Sequence, residues 1–239
     1  MDKRTDTSST PLFTLPFLCL TLLFVVCLIV SNLIEIKTVE LGIITVTAGL
    51  AVFPVSYIIN DCIVEVYGFR RARFVIWAGF AMSLFVALLL NLAILLPGSP
   101  EWHGQQAMEA IYGSVPRIML ASFTAFVCGS MVNAYVMSRM KRTASGADNT
   151  ARFSLRAIIS TLCGEGVDSV VFFPIAFGGV LPIDTIVALI LTQALLKTAY
   201  EVLILPITII IVRKLKRIER IDTVDSASTD YSWWRLTDL

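Results

Sequence analysis

The sequence predicts an all-α, polytopic membrane protein: six transmembrane helices with both termini on the cytoplasmic side. Three observations carry that prediction: the bulk composition, six apolar windows of spanning length, and a one-sided distribution of Lys and Arg. Of the 239 residues, 56% are hydrophobic and only 15% are charged, and the mean hydropathy is +0.80. Soluble domains carry about 25% charged residues, so this balance belongs to a chain that lives in lipid.

The windows fall at 14–34, 48–67, 73–96, 116–138, 155–178 and 183–212. Each is near the ~20 apolar residues needed to cross a hydrocarbon core, and the last is long enough to tilt or to run past it. The first follows Lys3 and Arg4 like a signal peptide. It is too long for an apolar h-region of ~7–15 residues and is not closed by a small-residue cleavage site, so a retained helix is expected. Pro54 and Pro206 lie inside spans, where neighbouring helices can satisfy the freed carbonyls.

Basic residues set the orientation. Arg70, Arg71 and Arg73 follow the second window. Arg139, Lys141, Arg142, Arg152 and Arg156 surround the fourth connection, and Arg213, Lys214, Lys216, Arg217, Arg220 and Arg235 follow the sixth window. The opposite side has only Lys37 and the border residue Arg117. The positive-inside rule then puts both ends in the cytoplasm. The domain division is a polar amino terminus over 1–13, a membrane domain over 14–212, and a basic then polar tail over 213–239.

Three shorter segments complete the plan. Residues 36–47 alternate partly and are rich in β-branched side chains; an ordinary outer loop is favoured over a hairpin or re-entrant turn. Residues 97–113 form a polar outer loop holding the single histidine, His103. In the tail, Trp233 and Trp234 are suited to anchoring at the headgroup level. Cys19, Cys27, Cys62, Cys128 and Cys163 all fall in apolar spans, where they read as small buried hydrophobes rather than a disulfide framework.

Function is signalled by charge in the wrong solvent. Asp61, Glu65, Glu165, Asp168, Glu201 and Lys197 all lie within the predicted spans. Each ionised side chain at a bilayer centre costs roughly 2.5–3.5 kcal/mol on insertion scales, so such residues pair, protonate or handle a ligand. In the second window Tyr57, Asp61 and Glu65 recur at a spacing of four and share one helical face. Glu65 is close enough to the interface for pairing with Arg70, Arg71 or Arg73 to explain it. In the fifth window Gly164 and Gly166 flank Glu165, which admits either a close helix neighbour or a ligand. In the sixth, Lys197 and Glu201 are spaced to pair within one helix. That leaves Asp61, Glu165 and Asp168 unmatched.

Five carboxylates and one ammonium sum to −4, which calls for protonation, a cation or a donor-rich ligand. A carboxylate accepts two parallel hydrogen bonds, and a guanine-like edge offers them from N1–H and N2–H₂. Tyr57, Phe172 and Phe173 are available as stacking faces. These stripes alone do not separate a purine from a polyamine or a metal cation. A paired-acid helix comes second in each half of the chain, a weak echo of the 3+3 repeats of carriers.

The run Phe53-Pro-Val-Ser-Tyr-Ile-Ile-Asn-Asp61, continued by Glu65-Val-Tyr-Gly68, together with Gly164-Glu-Gly-Val-Asp168 and Lys197/Glu201, resembles the queuosine precursor transporter family, also called the vitamin uptake transporter family. Asn32 and the tail from Lys216 to Asp225 resemble it as well, so the likeness runs from about Ser31 to Asp225. The resemblance implies a bacterial inner-membrane importer of 7-deazaguanines such as 7-cyano- and 7-aminomethyl-7-deazaguanine, the precursors of queuosine in tRNA. The residues expected to bind substrate are Asn32, Tyr57, Asn60, Asp61, Glu65, Glu165, Asp168, Phe172, Lys197 and Glu201. In this reading Glu165 and Asp168 contact the base, Asn60 and Asp61 complete or gate the site, and Lys197 with Glu201 balances charge or couples protons.

The expected site lies between the second, fifth and sixth helices of a secondary carrier. The alternative is a substrate-binding subunit of an energy-coupling-factor transporter, disfavoured because the first helix lacks a seam of small residues for docking. An enzyme is not expected, since neither His-Glu-x-x-His nor Gly-x-Ser-x-Gly occurs. No cofactor or metal motif is present. The expected partners are the small-molecule substrate and lipid, not nucleic acid, because the basic residues are spread as flanks rather than interleaved with aromatics. A homodimer is allowed, with no interface motif arguing for it.

Overall fold

The computed structural model describes residues 14–42, 44–143 and 150–219. Expectations at Lys3, Arg4, Arg220, Asp222, Trp233, Trp234 and Arg235 fall outside the described residues. So do the side chains of Arg139, Lys141, Arg142, Arg152 and Arg156.

The elements run α1 (Leu15–Ile34), β1 (Thr38–Leu41), β2 (Ile44–Thr47), α2 (Phe53–Tyr67), α3 (Phe69–Leu95), α4 (Gln105–Tyr112), α5 (Val115–Thr143), α6 (Thr150–Phe177) and α7 (Ile183–Glu219), with a 3-10 turn at Ala48–Ala51. Six helices of 15 residues or more are thus present among the described residues, in the predicted order. Among the described residues, five stretches are long and apolar enough to cross a bilayer. Their outward faces carry exposed Leu18, Leu22, Leu88, Leu92, Leu195, Leu203 and Ile210, a display that water would not tolerate and acyl chains would solvate. Cys19 and Cys163 lie on such exposed surface, whereas Cys27 and Cys62 are buried; all five cysteines are free.

Three local predictions are corrected. The second window is not helical from residue 48: α2 starts at Phe53, with Pro54 in its first turn, and stops at Gly68, whose φ of 84° ends the helix. At 15 residues α2 is about 22 Å long, short of a ~30 Å hydrocarbon core. Irregular backbone at this depth is tolerated where it is covered by protein. β1 and β2 pair as an antiparallel hairpin rather than an ordinary loop, with Thr38 opposite Thr47 and Leu41 opposite Ile44. Gly42 at the tip has φ +67°, the left-handed conformation that glycine adopts without strain. Finally, the outer loop after α3 contains α4, so residues 97–113 are not wholly irregular.

The hairpin docks on α7. Thr192 Oγ1 donates to the Thr45 carbonyl at 3.0 Å, and Gln193 Nε2 donates to Thr47 Oγ1 at 2.5 Å. Arg117, the border cation, braces the bundle. Its Nε donates to the Ile175 carbonyl at 2.5 Å and an Nη to the Gly178 carbonyl at 2.6 Å. A cation from α5 therefore satisfies carbonyls at the C-terminus of α6, where the helix dipole favours it.

Three apolar clusters hold the bundle among the described residues, the smallest around Ala87, Val115 and Met119. One joins α1, α2, α3 and α5 through Phe24, Leu28, Ile63, Val75, Phe80 and Phe126. Another joins α5, α6 and α7 through Ile118, Phe172, Phe173, Phe177 and Leu189. Helices α5 and α6 form the most extensive pair, because glycines face each other across it. A Cβ on Gly129 would lie 2.8 Å from the Gly164 carbonyl oxygen, and one on Gly164 would lie 2.8 Å from Asn133 Cβ. Small residues at that seam let the two backbones approach.

Candidate functional site

A cavity of about 350 Å³ opens among five helices. Three of them contribute residues at the same spacing. Helix α2 gives Tyr57, Asn60, Asp61 and Val64; α5 gives Phe126, Gly129, Ser130 and Asn133; α6 gives Thr161, Gly164, Glu165 and Asp168. Each set is i, i+3, i+4, i+7, one continuous face of a helix. Ala72 and Ile76 of α3 and Glu201 of α7 close the wall. The volume sits at the low end of the 300–1,000 Å³ typical of small-molecule sites.

Four carboxylates face this space: Asp61, Glu165, Asp168 and Glu201. Asp61 is accessible although it lies inside the bundle, because its side chain points into the void. Glu165 and Asp168 are buried at 5% and 4% exposure. Asn60 Oδ1 is buried with no hydrogen-bond partner among the described residues. Tyr57 and Phe126 stack on the aromatic side, with ring centroids 5.9 Å apart and planes 29° apart.

Lys197 does not pair with Glu201. Its Nζ lies 2.7 Å from Asp168 Oδ2 and 3.4 Å from Glu165 Oε2, and 4.8 Å from the centre of the Phe53 ring. Asp168 and Glu165, which sequence spacing left unmatched, therefore share one ammonium from α7. A 3.4 Å separation is an ion-pair distance rather than a short hydrogen bond, so Asp168 holds Lys197 more tightly. Over Asp61, Glu165, Asp168, Glu201 and Lys197 the formal charge is four negative plus one positive, or −3.

A second, smaller cavity of about 20 Å³ borders the ion pair. It has room for one water molecule. Asn32, Glu35, Phe53, Phe172, Gln193 and Lys197 line it, and Asp168 borders both spaces.

Of the ten residues singled out from sequence, Tyr57, Asn60, Asp61, Glu165, Asp168 and Glu201 thus line the larger cavity. Asn32, Phe172 and Lys197 lie at the smaller one. The Asn32 amide donates to the Leu28 carbonyl at 2.8 Å. Phe172 sits edge-on to Phe173 in the apolar cluster. Glu65 is in neither. It is exposed and bonded to Lys216 of α7 at 2.6 Å, so its cationic partner comes from the far helix rather than from the adjacent arginines. The contributions of α3 and α5 were missed. Their signal was present: Phe126, Gly129, Ser130 and Asn133 repeat the α2 and α6 spacing inside an apolar window.

Comparison with known proteins identifies the family. Residues 47–211 match the family model described as "Putative vitamin uptake transporter". A "Probable queuosine precursor transporter" of Bacillus subtilis (strain 168) is 30% identical over 176 residues, covering 74% of this chain and 76% of the relative. The "Queuosine precursor transporter" of Escherichia coli (strain K12) is 30% identical over 147 residues, 62% of each chain. A Haemophilus influenzae relative carrying the "Probable" form of the same name is 27% identical, over 55% of this chain and 52% of its own. No solved structure matches. These are transporters rather than enzymes, and all three come from bacteria. With its apolar outer faces and its match over most of the membrane domain, the chain belongs to the vitamin uptake transporter family and is a multi-pass protein of the bacterial inner membrane.

Proposed function

We propose that this chain imports queuosine precursors, 7-deazaguanines such as the 7-cyano and 7-aminomethyl forms, as a secondary carrier. The observation that carries the reading is the cavity itself: four carboxylates around about 350 Å³, walled on one side by Tyr57 and Phe126. A guanine-like edge presents adjacent N–H donors, and a carboxylate accepts two of them in parallel. Buried in a low-dielectric site, such charge-assisted bonds are roughly twice as strong as neutral ones. A flat ring gains further contact against the aromatic wall. The aminomethyl form adds a cation that suits the −3 charge of the site.

In this reading Glu165 and Asp168 receive the base. Asn60 adds an acceptor that has no partner of its own among the described residues. Lys197 is paired with both carboxylates, so substrate binding and Lys197 compete for the same oxygens. The basic flanks favour cytoplasmic termini. The lining residues of α3 and α5 then lie in the cytoplasmic half of their helices, with the Lys197 layer and the hairpin on the outer side.

The test is uptake of radiolabelled 7-cyano-7-deazaguanine in cells lacking their own importer. Asp61→Asn, Glu165→Gln and Asp168→Asn should each cut uptake at least tenfold at wild-type expression. Normal transport by all three variants would remove the site assignment. Uptake that required a separate ATPase module would favour the coupling-factor alternative.

A further inference from the structure

Glu35 is the one carboxylate around these cavities that the sequence patterns did not single out. It follows the last residue of α1, beneath the hairpin, and is 8% exposed. The hydrogen bonds reaching it have a fixed direction. Gln193 Nε2 donates to Thr47 Oγ1, whose own hydrogen is thereby left to donate to Glu35 Oε1 at 2.6 Å. Glu35 Oε2 sits directly over Gly49, leaving no room for a side chain there. The chain has thus built a pocket for this carboxyl from three separate elements.

Among the described residues, two charged groups act on it. Lys197 of α7 favours its ionised form and Asp168 of α6 opposes it. Thr47 of β2 and Gln193 of α7 are neutral, as are Gly49 and Leu50 of the 3-10 turn, Phe53 of α2 and Ser122 of α5. Glu35, Lys197 and Asp168 border the same water-sized cavity. A lysine side chain has four rotatable bonds and a compact charged end, and here it has carboxylates on both sides.

We propose that Glu35 is the alternative partner of the Lys197 ammonium, and that its charge decides whether Asp168 and Glu165 are free to take substrate. Ionised Glu35 draws Lys197 through the small cavity and uncovers the two carboxylates of the larger one. Protonated Glu35 offers Lys197 no counter-charge, and the ammonium stays on Asp168. Burial pushes the Glu35 carboxyl up to about 7, opposed by the Thr47 hydroxyl and by Lys197, so this exchange falls within the physiological range. Glu35 is a positioning residue: it acts on substrate through Lys197. The inference rests on the larger cavity being the base-binding site.

The experiment uses the full chain in detergent micelles, with 7-cyano-7-deazaguanine as the probe because its side group does not titrate between pH 6 and 8. A group titrating near 7 is ionised about tenfold more at pH 8 than at pH 6. Wild-type affinity should therefore be about tenfold tighter at pH 8. Glu35→Gln should bind at the weak pH 6 level throughout, and Glu35→Asp should restore the pH dependence. A Glu35→Gln protein that keeps the wild-type pH profile of binding overturns the proposal.

Thermal melting without ligand separates this outcome from failure of the import reading. Wild type should lose stability as pH rises from about 4.5 through 7, because the folded state favours the protonated carboxyl; Glu35→Gln should lose that component. Lys197→Met should shift it to higher pH, read as the difference between Lys197→Met and Lys197→Met/Glu35→Gln. No binding at either pH, with this melting behaviour intact, rejects the substrate and supports the Glu35–Lys197 exchange. Equal melting profiles for wild type and Glu35→Gln overturn it.

Discussion

Lys197 Nζ lies 2.7 Å from Asp168 Oδ2, bridging α7 and α6, and this contact governs the charge of the whole site. Both side chains are almost buried. Two charges taken out of water are tolerable as a pair, whereas removing one partner leaves the other uncompensated at a cost of about 3–5 kcal/mol. Lys197→Met should therefore lower the apparent melting temperature strongly, and Asp168→Asn less, because Glu165 still offers Lys197 a partner at 3.4 Å. Melting the two single variants beside Lys197→Met/Asp168→Asn checks this. The double variant should be more stable than additivity predicts.

Asp61 and Glu65 are one turn apart on α2, and their substitutions should have opposite consequences. Asp61 faces the larger cavity, while Glu65 is 61% exposed and bonded to Lys216. An exposed ion pair contributes about 0–1 kcal/mol. Glu65→Gln should keep at least half of wild-type uptake and melt within a degree or two of wild type. Asp61→Asn should fold equally well and lose transport. Parallel uptake and melting measurements decide it, and loss of transport in Glu65→Gln would return Glu65 to the site.

The two glycines around Glu165 separate in the same way. A Cβ on Gly164 would meet Asn133 Cβ at 2.8 Å and the Gly129 carbonyl at 3.0 Å, so Gly164→Ala must push α5 from α6. Overpacking of this kind costs about 1–3 kcal/mol. Gly166 has nothing within 4 Å of its hypothetical Cβ, and Ala gains up to ~1 kcal/mol over Gly inside a helix. Gly164→Ala should be destabilised and Gly166→Ala unchanged or stabilised in thermal melts.

Much of the fold was legible because its signals are local. Pro54 and Gly68 punctuate α2 through their own backbone geometry, and a run of 20 apolar residues declares a span without help from neighbours. The faces holding Asp61 and Glu165 follow from helical period alone. What failed was pairing across helices. Lys197 and Asp168 are 29 positions apart, and the i,i+4 rule pointed instead to Glu201. Glu65 likewise chose Lys216, 151 positions away, over three nearby arginines. The hairpin was passed over because its strands are four residues long and its bonds to α7 span about 146 positions, which sequence alternation does not show. Arg117 broke the charge rule for a reason visible only in three dimensions, the carbonyls at the end of α6.

Gly49 gives the most selective test of the hairpin layer. It lies in the 3-10 turn between β2 and α2, and its missing side chain is what lets Glu35 Oε2 settle where it does. A Cβ there would overlap that oxygen and approach the Ser31 carbonyl to 3.0 Å, and the carbonyl cannot yield as a flexible side chain could. Gly49→Ala should therefore expel the Glu35 carboxylate, strand the Thr47 hydroxyl donor, and cost about 1–3 kcal/mol for the buried group left unpaired. In Gly49→Ala/Glu35→Ala the clash with the carboxylate disappears, so melting should recover towards the level of Glu35→Ala alone. If the double variant melts no higher than Gly49→Ala, the damage lies in the backbone at Ser31 and Glu35 is not what Gly49 accommodates.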